Sequence, residues 1–147
     1  MDYVRLGRTG LKVSRIALGC MSYGDPGFHQ WTLDEEASQP FFRQAVELGI
    51  TLWDTANGYG GGTSEEYVGR AVKTYARRED IVLATKVHNT MHDGPGGSGL
   101  SRKAILEYGP DRDGLGAEQT GRHGPDCRRH QTSPPRRGSG RPRDPAD

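Results

Sequence analysis

The sequence predicts an α/β fold built on a parallel sheet, and two observations lead to this prediction. Short apolar stretches alternate with segments of helical periodicity between Ile16 and Glu107, in the order strand, helix, strand, helix, strand, helix. The residues that can build a core are concentrated there, since 43 of the first 108 residues are hydrophobic against 4 of the last 39. Such alternation implies right-handed βαβ crossovers that place consecutive strands side by side.

A hairpin and a first strand open the chain. The segment Arg5–Val13 has apolar residues on both sides of a turn that carries two glycines, which is typical of a hairpin. Ile16-Ala17-Leu18-Gly19 follows as a short apolar run that ends at glycine. This pattern indicates a buried strand that leads into a loop.

The first helix has a predicted start, face and end. Thr32 and Glu35 have the spacing of a capping box, in which each side chain bonds an unpaired backbone donor at a helix start. Apolar residues then recur at helical spacing until Gly49, which stands where a C-terminal cap belongs. Pro40 lies inside this segment, so we expect a kink or a joint between two shorter helices.

The pattern then recurs in a second unit. Ile50–Asp54 is predicted as a strand, and the glycine-rich segment 57–62 as a flexible loop. Thr63 and Glu66 again have capping-box spacing, and Tyr67–Tyr75 presents one apolar helical face.

A third unit completes the patterned part of the chain. Ile81–Thr85 is a continuous apolar run, typical of a parallel strand that is covered on both faces. A glycine-rich loop follows, and Ser101 is predicted to cap a third helix at Arg102–Glu107.

The pattern stops at Tyr108. Residues 109–147 contain 7 glycines and 6 prolines with no apolar periodicity, and every basic side chain among them is arginine. We therefore predict two regions, a folded part at 1–108 and a disordered tail at 109–147. Arginine without lysine is typical of GC-rich DNA read out of frame, so we hypothesise a frameshift near the codon for Tyr108.

Composition excludes several classes of protein. No run of 18 apolar residues exists, so a membrane span is not expected, and the first residues lack the pattern of a secretory signal. Cys20 and Cys127 offer neither a disulfide framework nor zinc spacing, which favours a reducing cytoplasm. A net charge of +1 does not favour a nucleic-acid or membrane partner. The sequence does not predict an oligomeric state.

Three polar residues follow the ends of predicted strands. Asp54 and Tyr59 come after the second strand of the parallel sheet, and Lys86 comes after the third. Each has an ordinary structural explanation alone, but the carboxyl ends of neighbouring parallel strands lie close together. A lysine beside a phenol favours loss of the phenol proton, and a carboxylate beside that lysine holds it charged. Such a phenol can protonate a carbonyl oxygen as a general acid.

The same residues belong to three motifs that resemble one known family. Asp54–Tyr59 with Gly61–Arg70, then Ala84–Lys86, and the opening Leu6–Ser14 closely resemble aldo-keto reductase sequences over residues 1–107. The resemblance implies a TIM (β/α)8 barrel with an N-terminal hairpin that closes its base, present here as an incomplete barrel of about three βα units. It also implies reduction of aldehydes and ketones by NADPH.

The resemblance also implies catalytic roles. Tyr59 would be the proton donor, Lys86 would favour loss of its proton, and Asp54 would pair with Lys86. The family has a fourth catalytic residue, a histidine at the end of the fourth barrel strand. His123 and His130 fall in that region of the chain, but no apolar strand carries them, so the role is not assigned to either.

A cofactor site follows from the same resemblance. Gly19, Cys20 and Met21 match the loop that lies against the nicotinamide of NADP, and Asp54 would lie near the ribose and the carboxamide. No metal site is expected. Most family contacts to the adenosine and its phosphate come from later strands, so we expect weak cofactor binding and weak or absent activity in this truncated chain.

An incomplete barrel leaves one side of its sheet uncovered. We expect the following side chains to point into the barrel: Ile16, Leu18, Leu52, Val82 and Ala84. Two alternatives to an enzyme stay open. One is a non-catalytic βαβ nucleotide-binding module that uses the Gly60–Gly62 run, and the other is an interaction protein that acts through its tail.

Overall fold

A computed structural model describes residues 1–109, and the predicted tail lies outside the described residues. The strands are β1 (Tyr3–Arg5), β2 (Lys12–Ser14), β3 (Ala17–Gly19), β4 (Leu52–Asp54) and β5 (Val82–Ala84). The helices are α1 (Glu35–Glu47), α2 (Thr63–Tyr75) and α3 (Arg102–Tyr108). In this part of the chain no helix has the length and apolar character needed to cross a bilayer.

The predicted hairpin is confirmed and lies at the amino end of the sheet. β1 and β2 pair in antiparallel fashion, with Val4 opposite Val13. Ser14 joins the hairpin to the start of β4, because its backbone N donates to Thr51 Oγ1 over 3.0 Å and Thr51 N donates to Ser14 Oγ over 2.9 Å. This reciprocal pair fixes the hairpin at the amino end of the sheet, opposite the carboxyl ends of the parallel strands.

The parallel sheet is also confirmed, with β4 between β3 and β5. Its register defines a helix face, which consists of Leu18, Trp53 and Leu83. The opposite side is the open face, which consists of Ala17, Gly19, Leu52, Asp54, Val82 and Ala84. Strand side chains alternate between faces, so the two sets point in opposite directions.

The expectation that Leu18 points into the barrel is wrong. Leu18 lies beside Trp53 in the register and packs against the core under the helices. Ala17 takes the position on the open face instead, and it is exposed. The run Ile16–Gly19 is apolar throughout, so its composition did not distinguish one face from the other.

The core lies between the helix face and the first two helices. Trp53 is completely buried, its ring stacks on Phe42 of α1 with centroids 5.5 Å apart, and its Nε1 donates to Ile50 O over 2.9 Å. The buried cluster consists of Cys20, Tyr23, Phe42, Ala45, Trp53, Val68, Ala71, Val72 and Ile81. One face of the sheet therefore supports nearly all of the hydrophobic burial.

Both predicted capping boxes are wrong, although both helices exist. The N-cap of α1 is Asp34, whose Oδ1 accepts from Ala37 N over 2.9 Å, while the Thr32 hydroxyl donates to a carbonyl in its own loop. Helix α2 begins at Thr63 after Gly62, so Thr63 is already helical. The spacing rule does not tell which of several polar residues near a helix start takes the N-cap position. The predicted cap at the third helix is confirmed, since Ser101 Oγ accepts from Ala104 N over 3.1 Å.

The sequence predicted the end of α1 correctly but not its middle. Gly49 has a left-handed φ of 75°, and Ile50 N donates to Ala45 O over 2.9 Å, as in a glycine-terminated helix. The predicted joint at Pro40 is wrong, because Glu35–Glu47 is a single helix with Pro40 in its second turn. Pro40 lies beyond the first turn and cannot donate to the Glu36 carbonyl, so the helix continues through the proline with one backbone hydrogen bond fewer.

Candidate functional site

Three side chains meet at the carboxyl ends of β4 and β5. Asp54 ends β4, Tyr59 begins the short 3₁₀ turn Tyr59–Gly62, and Lys86 stands two residues beyond β5. The Lys86 Nζ donates to Asp54 Oδ2 over 2.7 Å and lies 4.9 Å from the centroid of the Tyr59 ring. The structure therefore brings together the three residues that the sequence singled out as catalytic.

Lys86 is held at this point by fixed acceptors. Its Nζ also donates to the backbone carbonyl of Thr55 over 2.8 Å. Partial burial acts to lower the pKa of Lys86, but the hydrogen bond to Asp54 and the interaction with Tyr59 outweigh it and raise the pKa above the ordinary lysine value. The pair stays in contact with solvent, with 48% of the Lys86 and 41% of the Asp54 side chain exposed.

The turn that carries Tyr59 depends on glycine. Gly60, Gly61 and Gly62 all have positive φ, of 56°, 65° and 101°, a conformation that other residues adopt only with strain. A Cβ on Gly61 would also clash with the ring of Phe28, which lies against the turn. The glycine run predicted as a flexible loop is a close-packed turn that places Tyr59 beside Lys86.

The three residues expected at the nicotinamide have different surroundings. Gly19 is exposed on the open face, beside Asp54 in the register, and Met21 is 49% exposed. The Cys20 side chain is buried in the core, and burial raises the pKa of its thiol to about 12. The backbone of Cys20 is buried as well, because its N–H donates to Asp54 O over 2.8 Å and its carbonyl accepts from Ser64 Oγ over 2.8 Å, so the expectation that Cys20 lies against a ligand is wrong for this residue.

Two buried hydroxyl groups lie beneath the site, and no sequence pattern indicated them. Thr55 follows Asp54, and Ser64 lies in the first turn of α2; both are fully buried, and their Oγ atoms are 3.0 Å apart. Ser64 lies within the segment that resembles the family motif, but nothing in its spacing marked it out from the other polar residues around it.

Asn57 is a third residue near the site that no sequence pattern indicated. Its side chain is 3% exposed, and neither its amide nitrogen nor its amide oxygen has a hydrogen-bond partner within residues 1–109. Its backbone N donates to Lys86 O over 3.0 Å, so the loop itself is tied to β5. Buried amides are usually hydrogen-bonded, so the Asn57 side chain is an exception among the described residues.

A half-buried acid, Glu65, contacts the residue before Lys86 on the helix side. Thr85 Oγ1 donates to the Glu65 carboxylate in the first turn of α2. Burial raises the pKa of Glu65, and the hydrogen bond from Thr85 opposes that rise only in part. The first turn of α2 thus contacts the chain immediately before Lys86.

A separate depression lies at the other end of the sheet. It is lined by residues that precede β4 and β5, including Thr51 and Ile81, and by Tyr3, Tyr75 and Arg77. The carboxyl end of the strands is where α/β barrels carry their chemistry, so we place the candidate site at Lys86. The described residues contain no group of three His, Cys, Asp or Glu side chains that could hold a metal.

The geometry at the carboxyl end suits proton transfer to a substrate oxygen. A lysine that stays protonated across the neutral range stabilises a neighbouring phenolate, and the carboxylate keeps the ammonium oriented. Asp54, Tyr59 and Lys86 border the open face, where Ala17 and Gly19 are exposed and Leu52, Val82 and Ala84 are half-buried. A flat ligand could therefore reach Gly19 and the Lys86 ammonium from the same side.

Sequence comparisons place this geometry among known proteins. The sequence model of the aldo/keto reductase family matches residues 15–109. The chain is 48% identical over 94 residues to versiconal hemiacetal acetate reductase of Aspergillus parasiticus, covering 63% of this chain and 27% of that protein. It is 37% identical over 116 residues to the aldo-keto reductase dtxS3 of Metarhizium robertsii, covering 76% of this chain and 31% of that protein.

A solved structure is similar in fold as well as in sequence. The aldo-keto reductase AKR11C1 from Bacillus halodurans, in its holo form, superposes with a TM-score of 0.54 and 39% identity, covering 69% of this chain and 30% of that one. The chain thus spans about 30% of the length of the relatives that it matches. The predicted fold class is confirmed: a hairpin and three βα units, which form the first part of a TIM barrel.

Proposed function

This chain belongs to the aldo/keto reductase family, and we propose from that premise that its site reduces a small aldehyde or ketone with Tyr59 as the proton donor. The observation that carries the proposal is the position of the Lys86 Nζ, 2.7 Å from Asp54 Oδ2 and 4.9 Å from the Tyr59 ring. The reductases named above support carbonyl reduction as the reaction class.

In the proposed reaction Tyr59 gives its hydroxyl proton to the carbonyl oxygen while the carbonyl carbon is reduced. The Lys86 ammonium stabilises the phenolate that remains, which lowers the cost of the transfer. Asp54 holds that ammonium in place and balances its charge. Turnover ends when the phenolate regains a proton from solvent, which reaches the partly exposed Lys86 and Asp54.

We propose NADPH as the cofactor, and the open face fits its nicotinamide end. A Cβ on Gly19 would meet no atom within 4 Å, so the strand end offers flat space for a ring. Gly19 and Met21 would lie along the ring, and Asp54 would accept hydrogen bonds from ribose hydroxyls, while the buried Cys20 would only support the backbone between them. The cofactor supplies the hydride when bound. The buried side-chain amide of Asn57, which has no hydrogen-bond partner within residues 1–109, lies in the loop that follows Asp54.

We further propose that this chain binds NADPH weakly and turns over slowly. It aligns with about 30% of the length of its relatives, so the remaining 70% of such proteins, which can contribute contacts, has no counterpart in the alignments. A cofactor stabilises the folded form only in proportion to its affinity. A cytoplasmic location and a change of reading frame near the codon for Tyr108 remain part of this proposal, and sequencing the transcript tests the latter.

The experiment is carbonyl-dependent oxidation of NADPH by the purified chain, followed at 340 nm with 4-nitrobenzaldehyde as the probe. We expect a slow, protein-dependent rate that Tyr59→Phe reduces to background, because the variant retains the ring and loses the proton. Lys86→Met should reduce the rate as well and displace the pH optimum, since the phenolate loses its cation.

Tyr3→Phe is the matched control. Tyr3 lies at the opposite end of the sheet, where its hydroxyl donates to Gly49 O over 3.1 Å, so its loss should leave the rate unchanged. Circular dichroism establishes that each variant is folded. A folded chain with no carbonyl-dependent oxidation, or a rate that survives Tyr59→Phe, overturns the proposed function and leaves only the family membership.

A further inference from the structure

A chain of buried hydroxyl groups runs beneath the candidate site. Ser64 Oγ donates to the Cys20 carbonyl over 2.8 Å. Its one hydroxyl proton is therefore committed, so in the 3.0 Å contact with Thr55 the threonine must be the donor. The order Thr55 to Ser64 to Cys20 carbonyl is thus determined, and both side chains are fully buried.

The hydrogen bonds from Thr55 to Ser64 and from Ser64 to Cys20 join three elements that support the site. Thr55 follows β4, Cys20 follows β3, and Ser64 belongs to the first turn of α2. The backbone adds two further ties, from Cys20 N to Asp54 O over 2.8 Å and from Thr55 N to Ala84 O over 2.9 Å. The position of Thr55 is therefore fixed by the hydrogen bond of its side chain and by backbone hydrogen bonds to both neighbouring strands.

The backbone carbonyl of Thr55 is also the second acceptor for the Lys86 ammonium, at 2.8 Å. Lysine has four rotatable side-chain bonds, and 48% of the Lys86 side chain is exposed, so its orientation depends on fixed acceptors more than on packing. Asp54, the other acceptor, is itself 41% exposed. Thr55 therefore supplies the more rigid of the two anchors.

We propose that Thr55 and Ser64 are positioning residues that hold the Lys86 ammonium between Asp54 and Tyr59. Neither side chain can touch a ligand, because both are buried, so they act only through Lys86. The inference rests on the proposed function in one respect, that Lys86 acts on Tyr59. Without the Ser64 hydroxyl, the buried Thr55 hydroxyl loses its acceptor and the Cys20 carbonyl keeps only its bond from Tyr23 N, so the segment after β4 must shift to satisfy the Thr55 donor.

The test measures the ionisation of Lys86 directly in the full chain. The sequence has four lysines, at Lys12, Lys73, Lys86 and Lys103, so a chain labelled with ¹³Cε-lysine shows four resonances, and Lys86→Arg identifies the relevant one. We expect Thr55→Val, which keeps the shape and removes the hydroxyl, to lower the pKa of Lys86 toward the ordinary lysine value, because the ammonium is no longer held against Asp54. Ser64→Ala should act in the same direction.

Two matched variants should leave the Lys86 titration unchanged. Thr55→Ser retains the hydroxyl and removes only a methyl group. Ser38→Ala removes an equally buried hydroxyl from α1, where it donates to Asp34 O, away from Lys86. The inference is overturned if folded Thr55→Val and Ser64→Ala titrate like the unaltered chain, or if Ser38→Ala shifts the Lys86 resonance as much as they do.

If Thr55→Val and Ser64→Ala both unfold, a measurement on the unaltered protein tests the inference. The hydroxyl protons of Thr55 and Ser64 should be observable and slow to exchange with water, whereas rapid exchange would contradict the buried chain. No carbonyl or NADPH is present in these experiments. Their outcome is therefore independent of the Tyr59→Phe assay, and the failure of either proposal can be told from the failure of the other.

Discussion

The two faces of the parallel sheet differ more than any other two regions of the molecule. On the helix face, Trp53 is completely buried, and Leu18 and Leu83 pack against the same core. On the open face, Ala17 and Gly19 of β3 are exposed, and Leu52, Val82 and Ala84 are half-buried. Residues 1–109 thus complete one layer of a barrel on their own and leave the barrel interior without its other strands.

This difference has a physical consequence for stability and function. Burial on the helix face supplies the hydrophobic free energy that lets the strands form, and it supports the loops at their carboxyl ends. The open face adds little to stability but leaves Asp54 and Lys86 accessible. The same strands therefore carry a structural side and a chemical side, and substitutions can test the two separately.

The largest expected effect is on the helix face. Trp53→Ala should lower the free energy of unfolding by about 3–5 kcal/mol, since it removes the largest buried side chain from the core. Trp31→Ala is the matched control, because Trp31 is 52% exposed, and it should change stability by less than about 0.5 kcal/mol. Urea titrations followed by circular dichroism compare the two, and equal losses would contradict the assignment of the core.

Thiol chemistry distinguishes the faces at neighbouring residues. In a chain with Cys127→Ser, the Cys20 thiol should react with a disulfide reagent at pH 8 about 10³-fold more slowly than in urea, because burial raises its pKa from 9.0 to about 12. Combining Gly19→Cys with Cys20→Ser moves the thiol to the open face, where it should react at the rate of an exposed cysteine. Fast reaction of folded Cys20 would show that the core is not closed there.

A smaller effect separates two leucines on adjacent strands. Leu83→Ala, on the helix face, should cost about 2 kcal/mol, and Leu52→Ala, on the open face, less than about 1 kcal/mol. Both residues are half-buried leucines, so a difference in the loss of stability reports the surroundings of each side chain and not its type. A contrary outcome is that Leu52→Ala lowers the free energy of unfolding as much as Leu83→Ala does. If that loss also varies with protein concentration, another chain covers the open face.

The smallest effect is the pH dependence at Glu65. Its pKa is raised in the folded chain, so the unfolded chain loses that proton first and stability falls as pH rises from the ordinary glutamate value through the raised one. Glu65→Gln removes this contribution, so its stability relative to the unaltered chain should increase between pH 4 and pH 7. Glu66→Gln, which removes an exposed charge from the same turn, corrects for the helix terminus. No change with pH would contradict the burial of Glu65.

The sequence was a good guide where a local rule has one solution. The hairpin turn, the order of strands and helices, Gly49 at the end of α1 and Ser101 at the start of α3 were all predicted and found. It failed where several residues could satisfy the same rule. Asp34 caps α1 instead of Thr32, because only its backbone lies at the helix boundary.

For the candidate site, the sequence by itself determined which residue types stand after each strand. It placed Asp54, Tyr59 and Lys86 at neighbouring strand ends, because parallel strands leave their carboxyl ends on one side. Only the tertiary structure decided their distances, the burial of the Cys20 side chain and the hydroxyl chain from Thr55 to Ser64. Those features depend on contacts between residues up to 44 positions apart, which no local pattern encodes.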